Sequence, residues 1–158
     1  MNFFRRFSFY LWTGVLIAID QFVKFVVVNN FKKESVVIIK NILKFSYCEN
    51  RGVAFSIGNG HVSFFIIINL LMICGLILYF EKNRSSFNKI DKMFFIMIIA
   101  GGISNVIDRI ARGFVVDFID VSDLFNFAIF NIADIFIVIG VFGLVINLIY
   151  KSLKCKWY

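Results

Sequence analysis

The chain has 158 residues, 60% of them hydrophobic, and a net charge of +7. Its mean hydropathy is +0.86, whereas soluble domains are usually about 45–50% apolar, which argues against an ordinary water-soluble fold. Charged residues are only 17% of the chain, which disfavours a disordered chain or a nucleic-acid binder, so no nucleic-acid partner is expected. Three Cys and a single His, with no CxxC or HExxH, leave no visible metal-ligand set. Neither metal nor cofactor is expected, and any chemistry falls to Asp, Asn, Arg, Ser and Lys.

Four apolar runs follow in chain order, and about 20 helical residues cross the ~30 Å hydrocarbon layer. The first, 8–28, is interrupted by Asp20, Gln21 and Lys24; its length and charges distinguish it from a cleaved signal peptide. Within the outer loop 29–61, the runs 35–39 and 42–47 flank Lys40-Asn41 and predict a two-stranded ribbon at the membrane surface. The second run, 62–80, holds no charge, and His61 reads as its boundary residue. The third, 93–107, is short and gains length from Asp108 and Arg109, giving a span over 93–109. Its Ala100, Gly101, Gly102 and Ser104 read as a surface for close helix packing. The segment 114–128 mixes apolar residues with Asp117, Asp120 and Asp123 and reads as an interfacial loop, the last two as solvated acids. The fourth run, 129–150, carries Asn131 and Asp134 near its start. One mainly α membrane domain is expected, with four transmembrane helices and a small β-rich region outside.

The basic residues orient this layout. Segments 1–7, 81–92 and 151–158 hold 9 Lys and Arg in 27 positions, against 7 in 54 for 29–61 and 108–128. Both termini are therefore expected in the cytoplasm. Cys48 then lies outside, Cys74 within the second span and Cys155 inside, so no intramolecular disulfide is expected.

Ionisable groups inside spans are costly and usually functional. Here Asp20, Asn105, Asp108, Arg109, Asp117, Asn131 and Asp134 all fall toward the outer leaflet. Structural roles compete with functional ones. Asp20 and Lys24 have the spacing of an i,i+4 ion pair. Asn105, Asp108 and Arg109 share a helix-end face that could clamp loops. Asn131 and Asp134 could cap a helix, but the acid lies a full turn inside its apolar run, which favours another role. Two acids close together at the edge of a low-dielectric layer cannot both ionise cheaply and share a proton. One can then activate a water while the other polarises a carbonyl. Asp117 and Asp134 are the best such pair by position. A transporter is disfavoured because polar residues do not continue through the membrane, only Asn69 and Asn147 being scattered below. A non-enzymatic assembly factor remains a rival, one for which Asp117→Asn is harmless.

Five blocks in order resemble the bacterial lipoprotein signal peptidases (signal peptidase II, or prolipoprotein signal peptidase). They are Asp20-Gln-Phe-Val-Lys24, Asn50-Arg-Gly-Val-Ala-Phe-Ser56, Asn105-Val-Ile-Asp-Arg109, Val115-Val-Asp-Phe-Ile119 and Phe130-Asn-Ile-Ala-Asp134. Val53 replaces a common Ala, and Ala100, Gly102 and Ser104 vary a Gly-rich stretch. The resemblance implies an aspartic endopeptidase of the inner membrane that cuts prolipoproteins before a diacylglyceryl-modified Cys, near the outer face. It implies catalytic roles for Asp117 and Asp134. Asn50, Gly52, Asn105, Arg109 and Asn131 would hold substrate or position the pair, with Asp20, Lys24 and Asp108 supporting them. It implies lipid-modified prolipoproteins and membrane lipids as partners, the cyclic peptide globomycin as inhibitor, and a β-rich cradle formed by the ribbon at 35–47.

Overall fold

The computed structural model describes residues 3–52, 62–124 and 127–155. Val53 to Ser56 of the second block, and His61, lie outside the described residues. The described chain runs α1 (Phe3–Asn30), β1 (Val36–Ile39), β2 (Leu43–Asn50), α2 (Val62–Asn83), α3 (Lys89–Arg112), β3 (Val115–Asp120) and α4 (Ile132–Cys155). The fold is mainly α, and these four helices are long and apolar enough to cross a bilayer. Phe22, Leu71, Leu78 and Ile146 point outward and are exposed, as suits helices solvated by lipid.

The helix ends are set by local chemistry. Asn88 and Asp91 form a reciprocal capping box at the start of α3, each side chain accepting the other's backbone N–H at 2.9 Å. At the other end Gly113 adopts φ 79°, and its N–H reaches the Arg109 carbonyl at 3.1 Å. The start of α4 corrects one expectation. The helix begins at Ile132, not at 129. Asp134 is therefore in its first turn and closes a second capping box: Asp134 N donates to Asn131 Oδ1 at 3.0 Å, and Asn131 N donates to Asp134 Oδ2 at 3.2 Å. The capping role set aside on sequence grounds is present.

Helix α3 is central and carries the longest set of buried residues, among them Ala100, Gly101, Ser104, Asn105 and Asp108. The small residues act as expected. A Cβ on Gly101 would collide with the Ala133 carbonyl and the Ile137 side chain, so only glycine lets α4 come this close. At the end bearing the α1 N-terminus, the rings of Phe9 and Phe80 stack at 4.1 Å, and Phe80 and Phe87 meet Phe95 at 5.1 and 4.8 Å.

At the opposite end the sheet has the order β1-β2-β3, antiparallel throughout. The predicted ribbon is there, turning at Asn41 (φ 60°), but β2 extends to Asn50 and gains β3 as a second partner. Residues 115–120, read from sequence as an interfacial loop, are thus a strand, buried except at Ile119. Val116 and Phe118 pack on Val27 of α1. Asp120 is likewise not a solvated acid: it is 5% exposed, accepts from Ser46 Oγ at 3.1 Å and from Ser122 N at 2.9 Å, and faces Lys44 at 3.6 Å. Asp123 is the more open of the two and pairs with Lys44 at 2.9 Å.

Candidate active site

The sheet and α4 bring two distant acids into one pocket. Phe130 bridges to β3, accepting from Ile119 N at 2.8 Å and donating back to Ile119 O at 3.1 Å. This pins the residue that follows, Asn131, beside Asp117. Asn131 Nδ2 donates to Asp117 Oδ1 at 2.6 Å while its backbone N–H serves Asp134. Asn50, at the end of β2, donates to Asp117 Oδ2 at 2.9 Å. Asn105 of α3 donates to Asp134 Oδ1 at 2.8 Å. Each of the four carboxylate oxygens thus accepts one amide hydrogen bond. One lone pair per oxygen is left for a proton, a water or a substrate.

Asp117 and Asp134 line a cavity of about 500 Å³ together with Asn50, Asn69, Asn105 and Arg109. Arg109 is buried and donates to the Gly52 carbonyl at 2.8 Å, and Gly52 N donates to Asn50 Oδ1 at 3.0 Å. Arg109 Nε has no hydrogen-bond partner among the described residues. Burial, followed by the charge of Asp134, pushes the Asp117 carboxyl up to about 6, although the amides of Asn50 and Asn131 and the cation of Lys24 pull the other way. A carboxyl so poised can exchange a proton close to neutrality.

Beneath the pocket lies a fully buried ion cluster. Lys24 Nζ sits 2.8 Å from Asp20 Oδ2, 2.9 Å from Asp108 Oδ2 and 2.9 Å from Asn105 Oδ1. Asp20 also accepts from Ser104 Oγ at 2.6 Å and Ala133 N at 2.9 Å. Asp108 takes Val116 N at 3.2 Å and a close contact from Arg112. The i,i+4 pair read from sequence exists, but it is one side of a cluster joining α1, α3, β3 and α4. The helix-end face of α3 therefore splits: Asn105 and Arg109 line the pocket, and Asp108 turns to Lys24. Because Lys24 and Asn131 Nδ2 both approach Asn105 Oδ1, at 2.9 and 3.3 Å, the amide of Asn105 must present its Nδ2 to Asp134.

Two contributors were not singled out from the sequence. Gln21 Nε2 donates to Ser104 Oγ at 2.9 Å and to Asp108 Oδ1 at 3.2 Å, tying the cluster's rim. Asn69, read as a scattered polar residue, lines the carboxylate cavity from α2. The one available signal was a polar side chain inside an apolar run.

The chain is similar to known proteins along most of its length. A family model described as Signal peptidase (SPase) II matches residues 12–150. A lipoprotein signal peptidase of Haemophilus influenzae is 36% identical over 93% of this chain and 88% of its own. One of Streptococcus thermophilus is 40% identical over 84% of this chain and 86% of its own. A bacterial membrane enzyme solved by the in meso method at 2.3 Å superposes with a TM-score of 0.83 at 31% identity, covering 92% of this chain and 89% of that one.

Proposed function

The chain belongs to the signal peptidase II family, and from that premise we propose how its outer pocket works. It is a multi-pass membrane peptidase of the aspartic type that removes signal peptides from prolipoproteins. Asp117 and Asp134 are the catalytic pair, and the bond cut is the one before a diacylglyceryl-modified Cys. The observation that carries this reading is the shared amide frame, in which Asn131 bonds both carboxylates at the wall of one cavity.

In the reactive state the pair holds one proton. The ionised carboxylate takes a proton from water as the water oxygen attacks the scissile carbonyl carbon. The protonated partner donates to the carbonyl oxygen, giving a gem-diol. Collapse breaks the C–N bond, returns a proton to the leaving nitrogen and restores the singly protonated pair. Asn50, Asn105 and Asn131 hold the carboxylates in register for this exchange, and Arg109 with Gly52 positions substrate backbone. Asp20, Lys24 and Asp108 support the floor. Orientation of this kind is a large part of many rate enhancements.

The substrate's two acyl chains keep its modified Cys at the membrane surface, where the sheet and the ends of α1, α3 and α4 meet. One integral domain with spans near 8–28, 62–80 and 93–109 and a fourth beginning at Ile132 suffices. The excess of Lys and Arg on segments 1–7, 81–92 and 151–158 supports cytoplasmic termini in the inner membrane and a pocket facing outward. Globomycin is the expected inhibitor.

The test is cleavage of a diacylglyceryl-modified prolipoprotein by purified protein in lipid. Asp117→Asn and Asp134→Asn are each expected to slow turnover by about 10³-fold or more while the proteins still elute as folded monodisperse species. Near-normal turnover in either variant overturns the pair.

A further inference from the structure

A second cavity, of about 860 Å³, shares no lining residue with the carboxylate pocket. Its mouth is at the end of the bundle where α1 begins, and its walls come from α1, α3 and α4. Arg84, Lys89 and Lys92 ring the mouth, while Leu16, Ile96 and Met97 line the depth. From Lys89 to Met97 is about 12 Å along the α3 axis. The cavity is therefore an apolar trench parallel to the helices with a basic rim.

Charge at the rim is unbalanced. Glu81 is shared between Arg6 at 2.9 Å and Arg84 at 3.1 Å, so one acid serves two cations. Arg84 is buried, its guanidinium held over the rings of Phe9 and Phe80 at 5.8 and 5.4 Å. Asp91 is turned to Lys151 and Asn147. The ammonium groups of Lys89 and Lys92 have no ion-pair partner among the described residues. Lys92 is half-buried at the rim. A cation in that position calls for an anion, and an apolar trench directly below calls for hydrocarbon.

We propose that this cavity binds an anionic phospholipid, with its phosphodiester at Lys89 and Lys92 and an acyl chain along Leu16, Ile96 and Met97. Basic pockets between transmembrane helices select acidic headgroups in this way. A signal peptide is the wrong occupant, because its leading segment is itself positive.

Native mass spectrometry of the detergent-purified full chain tests this, with dipalmitoyl phosphatidylglycerol titrated against phosphatidylcholine of the same chains. Wild type is expected to prefer phosphatidylglycerol by about tenfold. Lys89→Gln/Lys92→Gln should reduce that preference to under about twofold. The matched control Lys82→Gln/Lys154→Gln removes two exposed cations outside the cavity and should leave it in place. Leu16→Trp, which fills the trench without changing charge, should weaken retention of both lipids. No headgroup preference in wild type overturns the site. So does an equal loss in the control pair, which would mean diffuse surface attraction, or unchanged retention in Leu16→Trp. Thermal melts of each variant separate lost binding from lost folding.

Discussion

The two ends of the helical bundle are held together by opposite means. At the end that carries the sheet, Asp20, Lys24, Asp108, Asn105 and Asn131 are buried and satisfy one another through directional bonds. At the end where α1 begins, Phe9, Phe80, Phe87 and Phe95 interlock as rings. In lipid, apolar packing gains little from the hydrophobic effect, since acyl chains are as apolar as the side chains. Ring packing therefore gives shape-dependent contact that can relax. A buried ion cluster cannot relax, because losing one member strands the others. The unforgiving kind of packing thus lies under the proposed reaction centre, where geometry matters most.

Breaking each end should expose this difference. Lys24→Met leaves Asp20 buried without a cation, leaves Asp108 with Arg112 alone and removes a donor to Asn105. Its expected cost is about 3–5 kcal/mol, read as a fall in thermal unfolding midpoint of about 10 °C. The compensated variant Asp20→Asn/Lys24→Met/Asp108→Asn should recover part of that loss. Phe80→Ala, at a site that is 0% exposed, removes contacts but little transfer energy, for an expected cost of about 1–2 kcal/mol. Equal losses at the two ends would refute the contrast.

The ring-packed end was far more legible in the sequence than the end that carries the sheet. Apolar runs report helices directly, and the stretch from Ala100 to Ser104 announced close packing that Gly101 now explains. The site acids were legible as well, because an Asp inside or beside an apolar run is conspicuous. The partners were not. Residues 115–120 read as a loop because Asp117 and Asp120 fall on opposite faces of the strand and spoil any alternation. Only the three-dimensional setting, with β2 on one side and the Phe130 segment on the other, makes that segment a buried strand. Asp134 was displaced from its capping role by a three-residue error in where α4 begins, which apolarity alone could not locate.

The chemistry of the sheet-bearing end can be sharpened by its pH dependence. Asp117 loses its proton near about 6, raised by burial and by the Asp134 charge. Below that step Asp117 holds a proton for the pair; above it that proton is lost. A mechanism that uses one shared proton predicts that kcat/KM of the free enzyme falls as pH rises through the step, by about tenfold per unit. The amide of Asn50 stabilises the charged form of Asp117, so Asn50→Ala should move this limb to higher pH. A profile that rises through the same region and stays flat to pH 8 would make Asp117 a lone base.

Cys48 offers the gentlest probe of the Asp117 carboxylate. It lies directly across the sheet from Asp117, and directly opposed residues share a face. Burial pushes its thiol above the ordinary value, and the charges of Asp117, Asp120 and Glu49 add to the effect. Less thiolate is present at pH 7.5, so a membrane-impermeant maleimide should label Cys48 several-fold more slowly than a free thiol. Removing one of those anions with Asp117→Asn should speed labelling by a few-fold, in a background where Cys74 is Ala. In intact cells the same reagent should reach Cys48 and spare Cys155. Labelling that favours Cys155 would invert the orientation, and a rate indifferent to Asp117→Asn would mean that the carboxylate does not bear charge beside the thiol at that pH.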